Sequence, residues 1–286
     1  MNFETLKFEK LDLNGVKTLV EWAREEGWNP GEKDAEVFYA TDPDGHYGYF
    51  MDEEMIAGGS IISYDGVFGF MGLFIVKPYY RSLGIGRKLW YQRRDMLLSR
   101  LESGASIGMD GVVAMQSFYG KGGFESVFRD ERHMKLGEIF TIDSHISSIE
   151  FSDFDAVLSY DIQCFGFPRP QFLKPWLNMQ GNKNFKYVSD GQMKGFAIMR
   201  KATSGYKICP LFADNEVVAE ALYKACLNAV PGEEVFLDIP LTNTAAVRLL
   251  KKYKTQYVFE CARMYYGKPP ELALEKVFGI TTFELG

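Results

Sequence analysis

Cysteine and histidine are scarce in this chain. Four cysteines (Cys164, Cys209, Cys226, Cys261) and three histidines (His46, His133, His145) serve 286 residues. The cysteines are widely spaced in the second half with no Cys-x-x-Cys, so they read as buried thiols, not as a zinc site or redox pair. The scattered histidines make no metal cluster, and no metal is expected. Long apolar runs are missing too. Phe68 to Val76 is interrupted by glycines, and a membrane helix needs about 20 apolar residues. Met1 to Thr5 lacks the basic and apolar stretches of a secretory leader, so a cytoplasmic protein is expected. Basic excess is absent: 32 Lys and Arg face 38 Asp and Glu, a net charge of −6. Residues 1–136 hold −5 of that, which argues against nucleic acid or an anionic membrane as partner. Neither a Gly-x-x-x-x-Gly-Lys P-loop nor a Gly-x-Gly-x-x-Gly dinucleotide fingerprint occurs.

What remains is ordinary globular composition, 47% apolar and 24% charged, in a chain long enough for about two domains. Phe3 to Phe8 alternates as a strand. Asn14 to Glu26 reads as a helix and Asp34 to Ala40 as a short one. Tyr47–Met51, Met55–Tyr64 and Val67–Val76 are strands joined by Asp/Gly turns, an antiparallel meander. Pro78 ends the third, and a helix runs from Gly84 to about Leu101. Ala105–Met109 is a strand and Val112–Gly120 a helix. Phe124–Phe128 and Arg132–Leu136 are read as two closing strands. After a connector from Gly137 to Ser148, the second half gives a similar order. It has a helix near Asp153–Cys164, strands at Phe185–Ser189, Gly195–Arg200 and Tyr206–Cys209, and a helix at Glu216–Ala229. A strand at Val235–Ile239, a helix at Thr244–Tyr253, and a hairpin of Tyr257–Glu260 with Arg263–Tyr266 follow. This reads as a diverged tandem repeat, residues 1–137 and 138–286. An unrelated α/β tail is the other reading.

The segment with chemistry in it is Val76-Lys77-Pro78-Tyr79-Tyr80-Arg81-Ser82-Leu83-Gly84-Ile85-Gly86-Arg87. A strand stops at proline and a glycine loop feeds a helix, whose first N–H groups have no partner and carry a positive dipole end. That is a phosphate cradle. Five cations (Arg81, Arg87, Lys88, Arg93, Arg94) and no acid lie between Arg81 and Arg94. The plainer reading is a glycine turn before a solvated basic helix.

This segment resembles motif A of the GNAT N-acetyltransferases, Val-x-Pro-x-x-[Gln/Arg]-x-x-Gly-x-[Gly/Ala]. Phe118-Tyr119-Gly120-Lys121-Gly122-Gly123-Phe124 resembles the family's motif B. Pro210–Asp214, Asp238-Ile239-Pro240 with Asn243, and Ala262–Gly267 resemble the C-terminal GNAT-like domain of two-domain members, as does Gly27–Gly31 with Asp34-Ala35. The resemblance implies an α/β (α+β) fold of tandem GNAT-like domains. Each would have a mixed, mostly antiparallel central sheet flanked by helices. It implies a catalytic half, 1–137, transferring acetyl from acetyl-CoA to a primary amine by direct attack in a ternary complex. The backbone of Phe74, Ile75 and Val76 would pair with the pantetheine arm. The amides of Arg81, Ser82, Leu83, Gly84, Ile85 and Gly86, with Arg87 beyond, would hold the pyrophosphate. Tyr119 matches the tyrosine that protonates the thiolate; a core tyrosine is its plainer reading. No acid lies between Val67 and Val76, so the base is open. Asp110 is the candidate for base or amine anchor, with a turn aspartate as the alternative, and His46, Glu53 and Glu54 are weaker ones. Val112 replaces an asparagine that often contacts CoA. In the second half, Pro210 to Leu222 has no glycine but carries Asp214, Glu216 and Glu220, so no cofactor is expected there.

A non-catalytic CoA sensor or scaffold is the alternative function. A third reading makes Phe165, Phe167, Phe172 and Trp176 a partner surface in place of core. The acceptor, the acyl length, and monomer against homodimer are left open.

Overall fold

Local chemistry starts and stops the elements. Asp12 accepts from the Gly15 amide at 2.9 Å and opens the first helix. Asn215 and Asn243 cap two later helices in the same way. The computed structural model describes residues 6–286. The first half runs β1 (Lys7–Lys10), α1 (Leu13–Glu25), α2 (Asp34–Thr41), β2 (His46–Met51), β3 (Glu54–Tyr64), β4 (Phe68–Val76), α3 (Ile85–Arg100), β5 (Ser106–Val112), α4 (Gln116–Lys121) and β6 (Phe124–Leu136). The second runs β7 (Ile146–Ser148), α5 (Phe154–Phe165), α6 (Pro170–Leu177), β8 (Lys183–Ser189), β9 (Gln192–Lys201), β10 (Tyr206–Ala213), α7 (Glu216–Asn228), β11 (Glu234–Pro240), α8 (Thr244–Lys252), β12 (Gln256–Tyr266) and β13 (Val277–Gly279). The fold is the expected mixed α/β type. Of the first expected strand, Phe3 to Thr5 lies outside the described residues.

All strands join one sheet, ordered β1-β2-β3-β4-β5-β12-β6-β11-β10-β9-β8-β7, with β13 on β10. The halves exchange strands. β12 lies between β5 and β6, and β6 lies between β12 and β11. Each half closes its sheet with a strand of the other. This corrects two sequence expectations. Phe124–Leu136 is one 13-residue strand and Gln256–Tyr266 one 11-residue strand. Asp130, in the expected break, and Arg132 and Arg263, at expected strand starts, are buried, and Arg132 and Arg263 are held in ion pairs. The expected connector Gly137–Ser148 also contains β7, and α6 follows the Gly166–Pro170 break.

β4 is the strand that shapes the site. It pairs in parallel with β5 only from Phe68 to Phe70, opposite Ser106 to Gly108. Beyond that the two strands part. Leu73 has φ +48° and the β3–β4 register shifts there, a β-bulge that re-aims the strand. Gly69 and Met71 face α3, whereas Phe70 and Gly72 face the tail of the second half. The aromatics weighed as a partner surface are core: Phe172 and Trp176 are fully buried, Phe165 is buried, and Phe167 packs on them. All four cysteines are buried and free, as expected.

Candidate active site at the parting of β4 and β5

From Met71 on, β4 has no strand partner on its β5 side among the described residues. At its end Pro78–Tyr80 makes a single turn, and the chain reaches α3 through Arg81 to Gly84. Gly84 sits at φ +83° with no side-chain cap on the helix, a conformation that favours glycine. Gly86 is needed for another reason: a Cβ there would lie 3.1 Å from Val76 Cγ2 and 3.5 Å from Phe74 Cζ. Its bare backbone lets α3 pack against β4. The amides of Ser82, Leu83, Gly84, Ile85, Gly86 and Arg87 have no acceptor among the described residues. They form an anion cradle at a helix N-terminus.

Arg81 departs from the expectation. Its amide donates to the Pro78 carbonyl at 3.2 Å, and its side chain donates to the Val76 carbonyl at 2.8 Å and pairs with Glu26. The free run therefore starts at Ser82. The cation count also shrinks. Arg94 binds Asp95 and the Gly122 carbonyl, and Arg93 is fully buried. Arg87 and Lys88 are exposed and have no acidic partner among the described residues.

Arg93 turns inward beneath the bulge. It donates to the carbonyls of Ser60 and, at 2.9 Å, Gly72, on the two strands whose register shifts there. Its Nε and Nη1 have no partner among the described residues, and burial pushes the guanidinium down to about 9. Arginine in a run of basic helix residues looks solvated in the sequence; the spacing from Leu89 and Leu97 is the signal that it faces inward.

Tyr119 lies on α4, on the α3 side of the parting. Its ring stacks on Trp90 at 5.9 Å and covers Gly111, where a Cβ would lie 3.0 Å from Tyr119 Cδ2. The hydroxyl has no hydrogen bond among the described residues, and burial raises its pKa, so it holds its proton. Asp110 alternates to the opposite face. It accepts from Arg263 at 2.7 and 2.9 Å. Burial pushes its carboxyl up to about 6, against the pull of Arg263. With both oxygens tied, it is not a free amine anchor. Neighbouring Asp130 is buried, has no partner for either oxygen among the described residues, and is raised well above the ordinary range by burial and then by Asp110. His46 is buried, with Nε2 3.1 Å from the Phe38 carbonyl. Glu54 pairs with Lys77 and Glu53 is exposed. None of these three stands as a better base.

The opposite face of β4 is covered by the tail after β13. A Cβ on Gly72 would overlap the Glu284 carbonyl oxygen and lie 2.7 Å from its carbon. The equivalent opening in the second half is closed by the chain itself. β10 and β11 pair in parallel over Tyr206–Ile208, and beyond that β13 pairs with β10 at Leu211 and Phe212. Asn215 takes the amides of Val217 and Val218 at the start of α7. Glu216 pairs with Arg248, and Glu220 with Lys224 and Lys252.

A family model described as the acetyltransferase (GNAT) family matches residues 13–124, and one described as an acetyltransferase (GNAT) domain matches 157–279. A holothin acyltransferase of Pseudoalteromonas sp. is 30% identical over 268 residues, 93% of this chain and 90% of the relative. An uncharacterized N-acetyltransferase of Bacillus subtilis is 23% identical over 82% of this chain and 83% of its own. In fold, the chain is similar to a putative acetyltransferase of Pyrococcus horikoshii (TM-score 0.84, 21% identity, 100% of this chain, 98% of that one). It is also similar to a tandem GNAT protein from the clavulanic acid biosynthesis pathway (TM-score 0.66, 12% identity, 93% and 99%).

Proposed function

The chain belongs to the GNAT acetyltransferase family, and from that premise we propose that it is an acetyl-CoA-dependent N-acetyltransferase acting on a primary amine by direct attack in a ternary complex. The carrying observation is the coincidence of two features. The unpaired edge of β4 beyond Phe70 leads straight into six free amides at an uncapped helix start. An amide-bearing arm ending in a pyrophosphate fits this pair of features: the arm adds to the strand edge and the anion takes the amides, with Arg87 and Lys88 beside them. Phe74, Ile75 and Val76 then serve the arm, and Ser82 to Arg87 the pyrophosphate.

Tyr119, protonated and facing the same side, is the proton donor to the departing thiolate. The bulge held by Arg93 fixes the β4 backbone where the acyl group would stop. Only the first half, residues 1–137, takes the donor. Residues 138–286 supply β12 and the tail, and fill their own opening with β13. No nucleic-acid or membrane partner enters this reading; among the described residues no helix is long and apolar enough to cross a membrane.

The test is thiol release from acetyl-CoA in the presence of holothin or simple primary amines, with mass spectrometry of the product. An acetylated amine supports the reading. Acetyl-CoA binding without turnover of any acceptor favours the sensor alternative.

A further inference from the structure

One face of the parting carries the donor features; the other carries a buried charge cluster. Three ion pairs run through it. Arg132 binds Asp238 at 2.6 Å through two nitrogens, Arg200 binds Asp34 at 2.7 Å, and Arg263 binds Asp110. Lys207 donates to the Trp28 carbonyl at 3.2 Å and makes no ion pair among the described residues. Two acids of the cluster, Asp130 and Glu284, have no hydrogen-bonded cation among the described residues. Glu284 is 4% exposed, yet its carboxylate makes no hydrogen bond or ion pair among the described residues. Unlike those of Asp130, its oxygens are not sealed from solvent.

The place of Glu284 is specific. Its backbone lies on Gly72, two residues past the last β4–β5 pair and next to the bulge. Its charge bears on Asp110 of β5, Arg132 of β6, Arg200 of β9 and Lys207 of β10. The tail that carries it is fastened. Tyr64 donates to the Leu285 carbonyl at 2.8 Å, Arg169 to a Gly286 oxygen at 2.7 Å, and the Glu284 and Leu285 amides to Thr282 Oγ1 at 3.1 and 2.8 Å. A buried carboxylate that accepts no hydrogen bond is costly even where cations lie further off. A bound ammonium would remove that cost.

We propose that Glu284 is the carboxylate that binds the acceptor's ammonium group and takes its proton. The proposal rests on the acyltransferase reading and supplies the acid that β4 lacks. In the step, the ammonium N–H gives its proton to a Glu284 oxygen. The freed lone pair forms the N–C bond to the thioester carbonyl, and the C–S bond breaks. The thiolate takes a proton from Tyr119, and the second nitrogen proton restores the tyrosine through solvent. Donor and acceptor thus meet from opposite faces of the sheet.

The test compares wild type with Glu284→Gln, and with Glu284→Ala with and without added formate. Acetyl-CoA binding is read by calorimetry. Thiol release is read with benzylamine, and without amine, from pH 6 to 10. The expected results are unchanged acetyl-CoA affinity and a roughly 100-fold slower release at pH 7 in Glu284→Gln. The deficit should shrink as the pH approaches the amine's own pKa, and formate should partly restore Glu284→Ala. Equal rates in wild type and variants, a deficit independent of pH, or loss of acetyl-CoA binding would overturn the proposal. So would absence of thiol release from a wild type that binds acetyl-CoA. Failure of wild type to bind acetyl-CoA would instead strike the acyltransferase reading.

Discussion

Substituting Gly72 by alanine forces a choice between β4 and the tail. The added Cβ would overlap the Glu284 carbonyl oxygen and sit 2.7 Å from its carbon and 3.0 Å from its Cα. Carbon atoms rest about 3.5 Å apart or more, so one segment must retreat by roughly 1 Å. All of these atoms are backbone, and β4 is held on its other side by Arg93. The tail is therefore the segment that moves. Overpacking of this kind costs about 1–3 kcal/mol, and losing the buried Tyr64–Leu285 hydrogen bond adds about 1 kcal/mol. At roughly 2 °C per kcal/mol for a chain of this length, thermal denaturation followed by circular dichroism should show a midpoint lower by about 4–8 °C. Gly84→Ala is the control. Its Cβ meets nothing within 4 Å, so only the positive φ counts, about 1 kcal/mol. If Gly72→Ala melts with wild type, the tail does not pack on β4 and the description of the acceptor face is wrong.

Tyr119→Phe keeps the ring on Trp90 and removes only the hydroxyl, so acetyl-CoA should bind as before while amine-dependent thiol release falls by about 100-fold; unchanged turnover would remove Tyr119 from the chemistry. His46 supplies a pH dependence. Burial lowers its pKa to about 4 from 6.5, so the unfolded chain binds more protons between those values and stability is lost as the pH falls. At pH 5 the loss from this group is about 2 kcal/mol relative to pH 7.5. Asp110, raised to about 6, acts in the opposite sense, its contribution being lost as the pH rises toward 6. Urea unfolding at both pH values should therefore show a smaller acid loss in His46→Gln than in wild type; equal losses would contradict the assignment.

The sequence is most legible where a local pattern has one structural meaning. Pro78, Gly84 and the cations after it mark a strand end, a glycine loop and a helix start, and all three are found. From Pro210 to Leu222 the absence of glycine and the acids mark a different helix start, which the structure shows capped by Asn215. The pattern fails where burial depends on partners far along the chain. Arg132 and Asp238, or Arg263 and Asp110, are polar in sequence and become core only because β6 and β12 exchange halves. Charges among the apolar residues therefore break the strand pattern, and each long strand looks like two. Thr281–Gly286 has no periodicity to reveal that it is buried. One clue was present: Gly72, inside an apolar strand, marks a close backbone approach, and the group approaching it carries Glu284.

Calorimetric titration of acetyl-CoA into wild type and Gly84→Asp tests the central claim most directly. The aspartate carboxylate would sit among the free amides of Ser82 to Arg87, and circular dichroism checks that the variant folds. The account predicts one acetyl-CoA per chain in wild type and loss of binding in the folded variant. Two equivalents per chain, or undiminished binding by Gly84→Asp, would contradict it.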